Sequence, residues 1–436
     1  MADETITWEI ERPVSTVFRR AYIKRRQSSD GKYESSWQDI TPYIKNWGQF
    51  EVSVDDVRVN RFTFSGLTIV ARNDAGKFNP ETNANSLWNG YLSRYRTLLK
   101  IEAGYEQDNG TEVPTDPSQG IFLLDGEIII DSLTNEATLE CRPISSIFEE
   151  VQANEVDGIY TTMTASDILA KIRDHTDGSS NFVFRELITS TAWAITTTTY
   201  YYHLQTATAI ESMTVWDLME KLAEAENFLL TVTRTGGIIF KSRAANTTTS
   251  QFDLKGEGYA YPTIISLNWH KEAIDKFYDR VRLKYLAPET STSYVSTGTE
   301  TAVSPTNVAW KYGSKTYTFE NSFIHNTATA QTITAALYNE LSDIKLEVEV
   351  TCRFMPHLDI SDRVHLFYTQ IDLNQSRLWD TEDWASDGAL DASRNDGLSW
   401  DPELGENFDF VNTPFKILSR RTDLEQFTTT LALRAI

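Results

Sequence analysis

Six histidines and two cysteines are the side chains of this chain best suited to metal or nucleophilic chemistry. The histidines are His175, His203, His270, His325, His357 and His365. Zinc sites draw their ligands in closely spaced pairs, and none of these histidines has another His or a Cys that near. Cys141 and Cys352 sit in alternating runs, EATLECRP and KLEVEVTCRF. So far apart, they make neither a disulfide framework nor a zinc or iron–sulfur site, and they read as two reduced core thiols. The nucleophile elbow Gly-x-Ser-x-Gly and the glycine-rich phosphate and dinucleotide loops are absent. HTDG at 175–178 reads as a helix ending in Gly178. Paired carboxylates abound, but acidity this diffuse singles out no pair. The expectation is a protein that is not an enzyme, with no catalytic, cofactor-binding or metal residue and no cofactor.

Calcium is the other chemistry to weigh. ARNDAGKFNP, residues 71–80, gathers side-chain oxygens at Asn73, Asp74 and Asn79. An EF-hand loop needs oxygens at positions one, three and five and glycine at position six. With Gly76 sixth, position one is Ala71, so the template fails. LDASRNDG fails too, because Gly397 falls seventh when Asp391 is first. The stretch at 71–80 instead reads as a tight turn. Asn73 and Asp74 bond their own backbone, Gly76 takes φ > 0, and Pro80 stops the next strand's ladder.

Behind these residues stands a chain of 436 residues, long enough for two to four domains. Forty percent of the residues are apolar, enough for sizeable cores, and 12% are aromatic, which favours β-structure and buried contact surfaces. The net charge of −22 repels phosphate backbones, so nucleic-acid gripping is disfavoured, although a polyanion could slide past without sticking. MADETITWEIERP has no signal pattern. The longest apolar candidate, GIFLLDGEIII, is broken by Asp125 and Glu127, so no membrane insertion is expected.

Residues 1–152 read as strands. RFTFSGLTIV places Phe62 and Phe64 on one face and Leu67 and Ile69 together after Gly66. GIFLLDGEIII and EATLECR read as paired strands joined by DSLTNE. Arg19, Arg20, Lys24, Arg25 and Arg26 form a basic stretch, either a solvated strand face or a docking face for an acidic neighbouring subunit. Residues 153–262 change character. MTASDILAKIRDHT is a helix with capping-box spacing at Thr164 and Asp167 and an apolar stripe of Ile168, Leu169 and Ile172. Thr214 and Asp217 open a second helix, with Val215, Leu218, Leu222 and Ala225 on one face. It ends near Asn227 and leads into FLLTVTRTGGIIFKSR, a hairpin turning at Gly236 and Gly237. Residues 243–262 read as a polar connector.

In 263–436, Val281, Leu283 and Tyr285 alternate in a strand, and the Ser/Thr-rich stretch 287–307 reads as an exposed loop. A helix carries Ile333, Leu337 and Leu341 and feeds a strand with Leu346, Val348, Val350 and Cys352. The segment 372–409 interrupts this pattern. It holds eleven acids and two arginines, a net of −9, together with Trp379, Trp384 and Trp400. It is either an irregular cation site or an acidic, Trp-anchored loop on an assembly surface. A closing hairpin carries Leu431 and Leu433, and the final Ile436 reads as tucked into a sheet. The fold class is mainly β, with α+β portions around 153–262 and near 327–345.

Several of these stretches carry a family resemblance. FSGLTIVARNDAGKFNP resembles a strand-and-turn segment of phage minor tail proteins. MTVWDLMEKLAEAENFLLTVTRTGGIIFKSR is similar to the helix-hairpin of phage tail hub proteins, and DRVRLKY to the strand that follows it there. LDISDRVHLFY looks like a later hub strand, with Ser361 where glycine is commoner, and FKILSRRTDLEQFTTTLALRA like the final hairpin. The order of these motifs, from about residue 60 to the end, identifies the chain as resembling the tail hub (baseplate hub) family. The insert 372–409 has no counterpart in the minimal hub pattern.

The resemblance implies two small β-barrels of tail-hub type plus the helix-hairpin domain. It implies a homotrimer that joins the tail tube or distal tail ring to a central spike or fibre. The tape-measure protein's C-terminus would lie near its lumen, and DNA would pass without specific binding. The expected place is the virion, at the distal end of the tail, after synthesis in the host cytoplasm. It also sharpens the 71–80 turn to one in the first barrel, where loops meet a neighbouring subunit. Two alternatives stay open. One is a receptor- or carbohydrate-binding tail tip protein that stacks sugars on Trp379, Trp384 and Trp400. The other is a hub with cell-wall hydrolase activity, less expected because the sequence closes on the last hub hairpin.

Overall fold

The computed structural model describes the chain apart from residues 1–3, 13–14, 27–32, 56–60, 80–83, 88–96, 126–127, 157–162, 177–183, 185–191, 203–212, 227, 243–249, 257–258, 260, 272–277, 288–293, 301–312, 343–345, 361 and 370–408. Alternating apolar residues build most of it. In β6 (Leu67–Arg72), Leu67, Ile69 and Ala71 are buried while Thr68 and Arg72 are exposed. One face therefore packs on a core and the other meets water. This strand belongs to a nine-stranded sheet. Its path runs β2 (Gln38–Asp39), β1 (Thr16–Lys24), β7 (Leu98–Glu106), β9 (Ser118–Leu124), β11 (Glu136–Pro143), β6 and β3 (Ile44–Asn46). β8 (Glu112–Val113) pairs off this path with β7, and β10 (Ile129–Asp131) with β11.

An eight-stranded sheet forms the second half. Its path is β17 (Phe252–Lys255), β23 (Arg363–Thr369), β24 (Asp409–Asp423), β25 (Thr428–Ala435), β22 (Leu346–Arg353) and β18 (Ile264–Lys271). The long β24 carries a bulge between Ile417 and Ser419. Before it, β24 pairs with β23; after it, Ser419–Asp423 pair with β4 (Gln49–Asp55). β4 in turn pairs with β5 (Arg61–Phe64). An early hairpin of the chain is thus lent to the sheet built by its end. It stays joined to the first sheet through three rings: Phe50 of β4, Phe64 of β5 and Phe122 of β9 meet at centroid distances of 5.2–6.1 Å. Each such pair adds about 0.5–1.5 kcal/mol beyond its area.

The helical portion lies between. After α1 (Glu4–Glu11) and α2 (Ile147–Glu150) come β12 (Met163–Thr164), α3 (Ala165–Arg173), β13 (Trp193–Ile195) and β14 (Tyr201–Tyr202). They are followed by α4 (Val215–Glu226), β15 (Phe228–Val232) and β16 (Ile238–Ser242). Both expected caps form. Thr164 Oγ1 accepts from Asp167 N–H at 3.2 Å. Thr214 Oγ1 accepts from Asp217 N–H at 3.1 Å, and Asp217 Oδ2 accepts from Thr214 N–H at 3.0 Å. Val215, Leu218, Leu222 and Ala225 are all buried, and β15 and β16 pair antiparallel across a turn at Gly236. A three-stranded sheet of β20 (Tyr294–Glu300), β19 (Arg280–Leu286) and β21 (Thr316–Asn321) carries α5 (Thr327–Leu341), which buries Ile333, Leu337 and Leu341.

Four expectations change. Residues 1–152 are not all strand, because ETITWEIE is a helix that buries Ile6 and Ile10, one turn apart. Its carboxyl end is capped by Arg353 of β22, which donates to Ile10 O at 3.1 Å and Arg12 O at 2.7 Å. The polar connector contains β17, whose Phe252 and Leu254 are buried. The Ser/Thr-rich stretch contains β20, because β-branched Thr and Val suit a strand even without a hydrophobic run. Ile436 is 63% exposed; its N–H donates to Pro414 O at 3.4 Å while its side chain meets solvent. Pro80, Asn227, Ser361, Trp379, Trp384, Trp400 and the insert apart from Asp409 lie outside the described residues.

Candidate assembly surface and the junction behind it

The turn at 71–80 closes on itself. β6 ends at Arg72, and Asn73, 3% exposed, accepts through Oδ1 from Phe78 N–H at 2.8 Å and donates through Nδ2 to Asn79 Oδ1 at 2.6 Å. Ala75 and Gly76 both adopt positive φ, 54° and 71°. Phe78 is fully buried and meets Tyr43 edge-on at 5.9 Å. The oxygens of Asn73 and Asn79 that could have held a cation are thus engaged in the turn's own hydrogen bonds.

Beside it stands the β10–β11 tip, joined by the Asn73 N–H to Asn135 O bond of 2.8 Å. Asp131 Oδ1 accepts from the N–H groups of Leu133 (2.8 Å) and Thr134 (3.3 Å). These bonds hold the Asp131 carboxyl below its ordinary range. They also brace the backbone around Leu133, whose side chain is 95% exposed, with Ile129 of β10 exposed as well. Tyr201, Tyr261 and Ile265 are further large side chains left on the surface. Nothing in the alternation of GEIII or in DSLTNE flagged Leu133, because a single leucine in a polar turn carries no periodic signal.

The basic stretch is largely engaged within the chain. Arg19 lies over Trp47 (5.0 Å) and Phe427 (5.1 Å) and donates to Leu424 O at 2.5 Å, gripping the β24–β25 turn. Burial lowers its pKa from the usual arginine value. Arg20 pairs with Glu112, and Arg25 pairs with Glu34 and donates to Leu87 O at 2.5 Å. Lys24 lies 5.9 Å from the Trp37 ring. Each of these four side chains thus has a contact within its own chain.

A polar junction joins the pieces. Gln119 of β9 is fully buried and donates to the carbonyls of Ala103 (3.2 Å), Pro117 (3.2 Å) and Pro356 (3.0 Å). Arg420 of β24, 1% exposed, donates to Leu358 O at 2.8 Å, and burial lowers its pKa. Tyr105 of β7 donates to Phe354 O at 2.7 Å. Arg234, at the β15–β16 tip, donates to Asp116 O (2.7 Å), Ser118 O (3.2 Å) and Pro356 O (3.1 Å). Two sheets and the helix-hairpin thus meet through arginines and amides that satisfy otherwise buried carbonyls.

The chemistry-bearing side chains are dispersed. Cys141 and Cys352 are free and buried, and burial pushes both thiols up. His325 Nδ1 lies 3.0 Å from Leu286 O, and His365 lies 3.5 Å from Asp253. His357 packs edge-on against Phe252. His203 and the side chain of His270 lie outside the described residues. Among the described residues, no three His, Cys, Asp or Glu side chains gather where they could hold a metal ion, and no helix is long and apolar enough to cross a membrane.

No protein-family model matches the chain, and no curated protein sequence matches it. Solved structures do. The tail protein from Neisseria meningitidis MC58 aligns over 96% of both chains with a TM-score of 0.51 at 11% identity. The chain has the fold of a phage tail protein. The tail-protein fold also aligns with the 43 kDa tail protein of prophage MuSo2 from Shewanella oneidensis, at 9% identity, over 95% of this chain and 98% of that one, with a TM-score of 0.48. Prophage tail protein gp18 from Listeria monocytogenes EGD-e aligns at 9% identity over 95% and 94%, with a TM-score of 0.47. The mainly β class read from the strand patterns, and the tail-hub type of fold implied by the resemblance, agree with the alignment to the Neisseria tail protein.

Proposed function

We propose that this chain is a structural subunit of a phage tail, acting as the hub that joins the tail tube or distal tail ring to a central spike or fibre. The observation that carries this reading is the end-to-end match of its two-sheet architecture to a tail protein. In this reading the chain works by holding neighbours, without a catalytic centre. Three copies form a ring, the tape-measure protein's C-terminus ends near its lumen, and the acidic wall lets DNA pass without adhering. The division into 1–152, 153–262 and 263–436 belongs to the same reading, with the hairpin 49–64 lent to the sheet of the last segment. The 71–80 turn and the braced Leu133 tip face a neighbouring tail subunit. The protein takes its place at the distal end of the tail after synthesis in the host cytoplasm.

Particles made without this chain should lack a finished tail tip in electron micrographs, and antibody labelling of normal particles should mark the distal end. The ring should run as a trimer by native mass spectrometry, alone or with its neighbours. Finished tails that lack the protein would overturn the reading.

A further inference from the structure

β18 (Ile264–Lys271) closes the path of the eight-stranded sheet, and among the described residues only β22 pairs with it. Its opposite side therefore offers a row of backbone N–H and C=O groups to a further strand. The other end of that path is different. β17 spans four residues, and Thr263 bonds its Lys255 both ways: Lys255 N–H donates to Thr263 Oγ1 at 3.0 Å, and Lys255 O accepts from Thr263 N–H at 2.8 Å.

Edges that must stay free are guarded by charge, proline or brevity. β18 runs eight residues, and Ile264–Trp269 holds no charged residue and no proline. It carries a bulge instead. Ile264 faces Cys352 and Ser266 faces Thr351, so Ile265 is the extra residue, and its side chain is 60% exposed. A bulge can also turn an edge away from partners, but here Ser266–Lys271 run beyond it in unbroken register with Thr351–Leu346. Ahead of the strand, Tyr261 has φ of 60° and is half-exposed. A bulky residue rarely holds positive φ. Two backbone irregularities thus each present a large apolar side chain to solvent.

The outer face beside this edge is acidic at one point. Asn268 and its partner Glu349 on β22 are both exposed, and Glu349 makes no ion pair among the described residues. A strand added to β18 would lie two strand spacings, about 10 Å, from β22. A lysine or arginine there can reach over the short Asn268 to Glu349. We propose that β18 is an acceptor edge for an extended segment of another polypeptide. That segment adds by main-chain hydrogen bonds, lays an apolar side chain against Ile265 and places a basic one, two residues along, toward Glu349. The addition stands on this edge alone, whether or not the chain is a hub.

The test uses the purified full chain and a nine-residue synthetic peptide with a valine and a lysine two positions apart on one face. The peptide should bind and add hydrogen-exchange protection to the amides of β18. Methylating its alternate backbone nitrogens should abolish binding in one phase and spare it in the other, since only one side of the peptide pairs. Ile265→Asp, at an exposed position, should weaken binding roughly tenfold or more. Exchanging the peptide's lysine for glutamate should weaken it roughly twofold or more, and Glu349→Lys should reverse that order. Absence of binding, protection on β20 in place of β18, or an order unchanged in Glu349→Lys overturns the proposal. So does a dimer of the chain that Ile265→Asp dissolves, because a second copy would then occupy the edge.

Discussion

Arg420 holds its guanidinium 5.8 Å from the centre of the Phe50 ring, and both side chains are about 1% exposed. An arginine from the penultimate strand therefore rests on a phenylalanine from the early hairpin, inside the molecule. Truncation to alanine leaves a cavity and strands Leu358 O, so Arg420→Ala should cost about 3–5 kcal/mol. Arg420→Met keeps the volume and removes the charge, and should cost less. Urea unfolding midpoints check the order, and an alanine variant as stable as the parent would sink the argument.

Gly48 has φ of 64°, and a Cβ built there would sit 2.2 Å from Thr68 O. Its carbonyl also accepts from Leu424 N–H at 3.2 Å, at the closing hairpin's turn. Gly48→Ala should cost roughly 3 kcal/mol or more, because backbone must move. Gly313 has φ of 88° but open space around it, so Gly313→Ala should cost only about 1 kcal/mol. Thermal melts of the two variants give the comparison, and equal shifts would contradict it.

Asn73 satisfies the buried Phe78 N–H. Asn73→Ala should lose about 1–3 kcal/mol by leaving that donor unpaired. Asn73→Asp keeps the acceptor and should fall between alanine and the parent. Denaturant titration of the three proteins decides it.

Leu133 contacts solvent almost entirely, so Leu133→Asp should change folding stability by less than about 0.5 kcal/mol. In the hub reading the same change lowers incorporation into particles. Comparing melting temperature with particle content separates the two effects, and unaltered incorporation would remove Leu133 from the contact surface.

Both thiols are buried, so Cys141 and Cys352 should resist a disulfide reagent in native buffer and react fully in denaturant. Rapid release from the native protein would mean that one of them is accessible.

The elements that announced themselves in the sequence did so through short-range chemistry. Thr214 with Asp217, the Gly236 turn, and the alternation of Val281, Leu283 and Tyr285 each rest on neighbours within one turn or one strand. RFTFSGLTIV shows the limit: Phe64 and Leu67 are both buried, yet they belong to different sheets. A strand's pattern says which residues are buried and not which partner buries them. The arginines were misleading for the same reason. Arg19 read as free charge because its partners, Leu424 and Phe427, lie at the far end of the chain. The helix at Glu4–Glu11 and β17 were legible in Ile6/Ile10 and Phe252/Leu254, but each segment was short and mostly polar. The junction of Gln119, Arg234 and Arg420 left no local mark at all, since the bonds that cross between its pieces, Gln119 to Pro356, Arg234 to Ser118 and Arg420 to Gln119, join residues more than a hundred positions apart.

β24 has a mechanical consequence. Its fifteen residues are laced to β25, β23 and β4 by bonds that run across the strand. A force directed along the strand would load those bonds together in shear rather than opening them one after another. The bend at Ile417 and Ser419 aims the two ends of the strand at different neighbours. A load entering through the early hairpin is thereby delivered across the second sheet, so the strand serves as a tendon between the first and last parts of the chain.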